Sequence, residues 1–310
     1  MSNHQHSEAS HLTSSGTRPL KISLALILSI MAVEVIGGIL SNSLALLSDA
    51  GHMLVDALAL GLSLLAMTIA RRPATLSKTY GYHRVEIMAA LTNGTILALV
   101  ALFIFYEAYQ RLLEPAVIRT PIMLLVASIG LGANLAGMLL LRRWSHRNLN
   151  IKAAFWHIIG DTVSSVGVIV AGIIITFTGW YVLDAIIAFF IGGIIMWGAV
   201  RIVKEASDIL LEAVPKDIEL SEVIKAMGNV PGVEEVHDIH MWTITSGIYA
   251  LSAHLIIGDQ LVSRSGEVVA AVNENLARNF GITHTTLQLE CQACESCPSG
   301  FICNLRRPGE

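Results

Sequence analysis

Six long apolar runs occupy residues 21–212 with only short connections between them: about 21–40, 44–70, 86–113, 121–141, 151–178 and 185–210. A helix needs about 20 apolar residues to cross the hydrocarbon of a bilayer, and its backbone must then bond within the segment. The six runs predict an α-helical membrane protein with six transmembrane helices. The first run is not read as a cleaved signal peptide. A polar segment precedes it, Glu34 lies inside it, and Ser41-Asn42-Ser43 follows it in place of a small-x-small cleavage site.

Composition agrees. Charged residues are 14% of the 310, and residues of the apolar set are 54%; soluble domains carry about 25% charged residues. A net charge of −4 supplies no basic face for a nucleic-acid duplex. A soluble globule, a disordered chain and a nucleic-acid binder are excluded, and the lipid bilayer is the expected surrounding. The cations set the orientation. Arg18 and Lys21 precede the first run, Arg71, Arg72, Lys78 and Arg84 fill the second connection, and Arg142, Arg143, Arg147 and Lys152 fill the fourth. Arg201 and Lys204 follow the sixth run, and the first, third and fifth connections hold only Arg119. The excess of Lys and Arg on one side places both termini in the cytosol.

The pattern changes after Pro215. Residues 217–228 have helical spacing, 233–243 and 247–258 alternate like strands around a Ser246-Gly247 turn, 263–280 are helical again, and 282–290 alternate once more. This order, αββαβ, is enough for a small two-layer cytosolic α+β domain. The chain therefore divides into a polar, His-containing cytosolic tail (1–20), a six-helix transmembrane domain (21–212), the α+β domain (213–290) and a Cys-containing C-terminal tail (291–310). All four cysteines, Cys291, Cys294, Cys297 and Cys303, lie in that tail. In a reducing cytosol their tight spacing favours metal thiolates over disulfides.

Ionisable groups inside membrane spans face a cavity or a partner and mark ion paths. Two spans share one pattern, His52-x3-Asp56 in the second and His157-x3-Asp161 in the fifth. Residues i and i+4 share a helix face, so each pair brings one imidazole and one carboxylate to one place. Two such helices together supply two nitrogens and two oxygens, a donor set that suits tetrahedral Zn²⁺ and is a poor shell for Ca²⁺ or Mg²⁺. The alternative is that each pair is a hydrogen bond within its own helix, but no packing requirement explains the same pair twice. Asp49 is read as orienting His52 or capping the helix rather than as a direct ligand. Glu34, Asn93, Glu107 and Asn134 are read as polar residues satisfied by helix contacts or lying near the membrane surface.

These residues resemble the cation diffusion facilitator family of zinc and cadmium efflux transporters. The resemblance rests on six spans, the paired H-x3-D, Thr79-Tyr-Gly-Tyr-His-Arg-x-Glu86, Leu210-Leu-Glu-x-x-Pro215 and Val236-His-Asp-Ile-His-Met-Trp242. It covers nearly all of 20–290. It implies that His52, Asp56, His157 and Asp161 hold the transported Zn²⁺. It also implies a homodimer that exchanges Zn²⁺ for protons, with a metallochaperone-like cytosolic domain at the dimer contact and Zn²⁺ as regulatory ligand as well as substrate. His83 and His284 fall where relatives of the zinc type have an interface metal site; the alternative is two solvated histidines. His237, His254 and Glu290 match metal-binding positions of the cytosolic domain in some members, with a purely structural role as the alternative and His240 as a substitute ligand. No His stands in 263–273, where some members contribute another ligand. Cys294 and Cys297 match a Cys-x2-Cys end that pairs with a His-bearing N-terminus, here His4 and His6; Cys291 and Cys303 would otherwise complete a four-thiolate site. Arg84 and Glu212 match a charge pair at a hinge.

Metal binding needs neutral His and ionised Asp, so it releases protons. With an unperturbed His pKa of about 6.5, protons on the far side can displace the ion. The expected activity is export of Zn²⁺ from the cytoplasm in exchange for protons, with Cd²⁺ and Co²⁺ left open as substrates because both accept the same ligands. The chain is not expected to be an enzyme: there is no H-E-x-x-H, and a closed four-ligand site leaves no open position for catalysis. A membrane-anchored sensor would need only one span. The fourth connection, with His146 alone, lacks a long His-rich insertion, which points to a bacterial cytoplasmic membrane.

Overall fold

The computed structural model describes residues 17–142 and 149–291, with side chains described for 28–139 and 158–291. Six helices come first: α1 (Thr17–Ser41), α2 (Leu44–Ala70), α3 (Arg84–Leu113), α4 (Thr120–Arg142), α5 (Leu149–Thr178) and α6 (Val182–Leu210). Then follow α7 (Leu220–Gly228), β1 (Val233–Thr245), β2 (Ile248–Ile257), α8 (Val262–Phe280) and β3 (His284–Glu290). Helices α2 to α6 each carry a described stretch long and apolar enough to cross a membrane, and α1 is apolar over the shorter described stretch Leu28–Ser41. The described residues form two compact units, one from residues up to Ser63 together with Thr92–Val203, the other from Leu64–Leu91 together with the residues from Lys204 on.

The helical unit is held by small and branched side chains at helical spacing. Leu97, Ala101, Ile104 and Ala108 on α3 form a core with Val168, Ala171 and Ile175 on α5 and Ala188, Ile191, Ile195 and Ala199 on α6. Alanines at these positions let backbones approach closely, which drives packing where lipid is as apolar as the core. Ile39, Leu99, Phe103 and Leu125 point outward and are largely exposed, the reverse of a soluble pattern.

The corner between α1 and α2 is tied from afar. Asn42 takes a left-handed conformation, φ 59°, which Asn tolerates at a helix end. Asp184, in the first turn of α6, accepts hydrogen bonds from Ser43 Oγ (2.6 Å) and from the backbone N–H groups of Leu44 (2.6 Å) and Ala45 (3.3 Å). It thus caps the N-terminus of α2, where N–H groups lack partners inside the helix. Arg111, in the last turn of α3, donates to the Asn42 carbonyl at 2.6 Å and stands 3.8 Å from Asp184 Oδ2. The sequence reading starts the last span at 185 and gives Asp184 no role; its cap lies 140 residues away in the chain, where no local pattern reveals it.

The second unit contains a small mixed sheet in the order β1-β2-β3. β1 and β2 are antiparallel, joined at Gly247 with φ 76°, the left-handed turn residue expected there. β3 runs parallel to β2, so α8 must cross over between them. Val268, Val272 and Leu276, four residues apart on α8, join Leu251, Leu255, Ile257, Val223 and Met227 in one core. α8 ends at Gly281 (φ 69°), with Gly281 N–H bonded to Ala277 O and Ile282 N–H to Leu276 O, a Schellman closure. The strands and helices fall within three residues of the limits expected from sequence. The ladder between β1 and β2 shifts register between His237 and His240, and Asp238 there has φ 45°. Such a bulge re-aims side chains.

Candidate metal centres

The helical unit places three of the four expected transport residues as follows. His52 and Asp56 lie one turn apart on α2, with Nε2 and Oδ2 3.5 Å apart. Two donors on a tetrahedral ion at 2.0–2.1 Å stand about 3.3–3.4 Å from each other, so this spacing fits one ion between them. Asp161, on α5, lines a cavity of about 540 Å³ together with His52. His157 lies on α5 as well, but its side chain is outside the described residues. Asp49 lines the same cavity, is 4% exposed, and accepts a hydrogen bond from Ser164 Oγ at 2.8 Å. The partner on α5 fits an orienting role. Ser164 is a residue that sequence reasoning missed, although Asp161-x2-Ser164 puts it one turn along the same helix face.

The other polar residues of the spans divide. Glu107 pairs with Arg111 at 3.3 Å on α3, as a satisfied helix contact should. Glu34 does not meet that expectation: it is buried, and its Oε2 has no hydrogen-bond partner among the described residues. Neither the burial nor the missing partner is expected from the sequence.

In the second unit, His237 on β1 and His254 on β2 are direct cross-strand partners. Their rings stand edge to face, centroids 5.3 Å apart. Glu290, at the end of β3, pairs in register with Ile256, two residues from His254 and on the same face. His237 Nε2 is 3.3 Å from Glu290 Oε2, and His254 Nδ1 is 3.0 Å from Glu290 Oε1. One donor atom from each residue lies within 4.8 Å of the others, and among the described residues this is the group of three or more His, Cys, Asp or Glu so arranged. These atoms are close enough for ion pairs, yet His237 Nε2, His254 Nδ1 and Glu290 Oε2 are buried without a hydrogen bond. Two imidazoles with one carboxylate are a donor set that fits Zn²⁺. His240 instead contacts Asp238, Nε2 to Oδ1 3.2 Å, on the bulge.

The remaining expected residues are placed thus. His284 opens β3 and packs edge-on against Tyr80, centroids 5.4 Å apart. His83 lies in the turn before α3, near Gly81, and no group of three donors forms around His83 and His284 among the described residues. Arg84 Nη2 lies 2.8 Å from Glu212 Oε1, both side chains well exposed. Beside it, Thr245 Oγ1 donates to Glu86 Oε2 at 2.6 Å, a tie not foreseen. Cys291 is exposed; Cys294, Cys297, Cys303, His4 and His6 lie outside the described residues.

Comparison with known proteins bears on this arrangement. Residues 20–211 match the family described as the cation efflux transmembrane domain, and 215–292 match the cation efflux protein cytoplasmic domain. The metal cation efflux system protein CzcD of Cupriavidus metallidurans is 44% identical over 281 residues, covering 90% of this chain and 88% of that protein. The cadmium, cobalt and zinc/H(+)-K(+) antiporter of Bacillus subtilis is 39% identical over 292 residues, 94% of this chain and 92% of its own. The zinc transporter ZitB of Escherichia coli is 35% identical over 296 residues, 94% and 93% of the two chains. A solved structure of the metal-bound C-terminal domain of the CzcD transporter shares 40% identity over 24% of this chain and 99% of its own, with a TM-score of 0.22. The chain therefore belongs to the cation efflux family, as a multi-pass membrane transporter of metal cations and not an enzyme.

Proposed function

We propose that this transporter exports Zn²⁺ from the cytoplasm in exchange for protons, through a tetrahedral site of His52, Asp56, His157 and Asp161. The observation that carries the reading is the shared cavity: His52 from α2 and Asp161 from α5 line one space inside the helical unit. Each ligand helix brings an imidazole one turn from a carboxylate, so the ion replaces protons when it binds and yields to them when it leaves. Asp49, held by Ser164, orients His52. Cd²⁺ and Co²⁺ are alternative substrates on the same ligands, and the names of the relatives include all three metals and protons. The bacterial relatives described above support placement in a bacterial inner membrane, and the Lys and Arg distribution supports cytosolic termini.

The chain works as a homodimer in this reading, which the match of residues 215–292 to the family named ZT_dimer supports. His237, His254 and Glu290 take a regulatory Zn²⁺. His83 with His284, and the tail residues Cys291, Cys294, Cys297 and Cys303 with His4 and His6, are further candidate sites. Arg84 and Glu212 form a hinge charge pair. The domain limits 1–20, 21–212, 213–290 and 291–310 belong to the same reading.

Zn²⁺ uptake into sealed proteoliposomes with an imposed pH gradient tests it. Wild-type uptake should follow the gradient, and Asp161→Ala should abolish it. Uptake indifferent to the gradient would remove the proton from the mechanism, and equal uptake by both proteins would move the site elsewhere.

A further inference from the structure

Glu34 sits within the apolar stretch of α1, a helix that contributes none of the four transport residues. It is 2% exposed, as deeply buried as Asp184, yet the two acids differ in company. Asp184 has a hydroxyl, two backbone N–H groups and a nearby guanidinium. Glu34 Oε2 has no hydrogen-bond partner among the described residues. Its Oε1 lies against Gly130 of α4, where a Cβ would stand 2.6 Å from it. Such a Cβ would also be 3.9 Å from Ser165 Oγ, a second buried polar atom without a hydrogen bond. The glycine leaves room that the carboxyl fills. If filling were the only need, an apolar side chain of similar size would serve better, because a buried charge without partners is strongly disfavoured in lipid. A carboxyl in such a place needs either a cation beside it or a proton on it.

Across Gly130 lies Ser165 of α5, next to Ser164, which bonds Asp49 of α2 and lines one cavity with Asp49 and Asp161 of α5; among the described residues, these two are the acids of that cavity. Helix α4 brings no charged residue before Arg142. Both acids belong to the metal cavity, so their field at Glu34 depends on the ion. A divalent cation beside Asp161 cancels the negative field and favours an ionised Glu34; departure of the ion restores the field and favours the neutral acid.

We propose that Glu34 carries one of the protons exchanged for the metal, on a helix separate from the metal ligands. The cycle balances as a proton transfer. When the ion leaves on the far side, a proton from that side forms the O–H bond of the Glu34 carboxyl. When the next ion binds from the cytosol, that bond breaks and the same proton leaves to the cytosol. This deepens the exchange reading and rests on it.

The test uses the full chain in proteoliposomes, free of potassium on both sides, with two assays: Zn²⁺ uptake driven by a pH gradient, and zinc-for-zinc exchange at equal pH. Glu34→Gln, the uncharged isostere, should lower pH-driven uptake at least tenfold while exchange stays within twofold of wild type. Equal losses in both assays would make Glu34 merely structural, and no loss in either would overturn the proposal directly. If the Gln variant does not reach the membrane, Glu34→Asp keeps the carboxyl. Its pH-driven uptake should persist with a midpoint moved by half a pH unit or more; an unmoved profile overturns the proposal. A wild type without pH-driven uptake would defeat the exchange reading itself and this one with it, whereas the ratio of variant to wild type in the two assays tests Glu34 alone.

Discussion

The chain holds two arrangements of histidine and carboxylate, and they are built in opposite ways. In the sheet, strand register alone brings His237, His254 and Glu290 together, with contacts of 3.0 and 3.3 Å already in place. In the helical unit, the His52–Asp56 pair belongs to one helix and Asp161 to another, on the wall of a cavity of about 540 Å³. A preassembled cluster of buried donors favours holding an ion, since little reorganisation is needed on binding. A site divided between separate helices can be taken apart by moving one against the other, and release is what a carrier requires. On the proposed reading, the difference teaches that the same donor atoms would serve retention or passage according to whether one rigid element or several carry them.

The largest effect that would sharpen this contrast comes from His52→Ala. Vesicle uptake should fall at least about 100-fold, because half of one His–Asp pair is lost, while the cytosolic cluster still binds its ion in calorimetry. Loss of both would mean that the two arrangements are not independent. Next, Glu290→Ala should remove most of the metal-dependent rise in thermal stability of the second unit. That rise corresponds to about 2.7 kcal/mol at a free metal concentration of 100 times Kd. Transport should keep at least about a third of its rate; a complete loss would make the cluster part of the transport path.

A smaller effect is expected at Ser164→Ala. It removes one hydrogen bond to Asp49, worth about 1 kcal/mol, and should lower uptake about fivefold with the metal preference unchanged. An unaltered rate would show that Asp49 needs no orientation. The smallest effect belongs to Arg84 and Glu212. Both are well exposed, and such pairs contribute only about 0.2–1 kcal/mol. Either charge reversal should change the melting temperature little while slowing uptake two- to threefold, and the double swap should recover the rate. Failure of the swap to restore it would remove the hinge role.

Much of this architecture is legible along the chain, for reasons that particular residues make plain. Apolar runs announce helices because lipid allows little else, and Gly247 announces the hairpin because its turn needs a positive φ. His237 and His254 could be put on neighbouring strands in advance, but not paired directly, since two register shifts between the turn and His237 set that pairing. Asp184 could not be read, because its partners lie on α2 and α3 and an acid at the start of an apolar run carries no local sign of what it caps. The bulge at Asp238 was equally hidden, as alternation continues through it. For Glu34 the residue type was visible and its isolation was not, since lack of a partner depends on what α4 and α5 bring near.

The parallel pairing of β3 has a consequence for the order of events during synthesis. His237 and His254 leave the ribosome early and can meet through a local hairpin. Glu290 is the last residue of the last strand, and it reaches them only after α8 has been made and has crossed the sheet. The third donor therefore arrives last, after every helix of the membrane unit has been translated. A nascent or truncated chain lacking β3 keeps both imidazoles, with Asp238 of β1 3.8 Å from His254 Nε2, but lacks the carboxylate that reaches both rings. On the proposed reading of this cluster as a regulatory metal site, its full donor set marks a chain translated through its final strand.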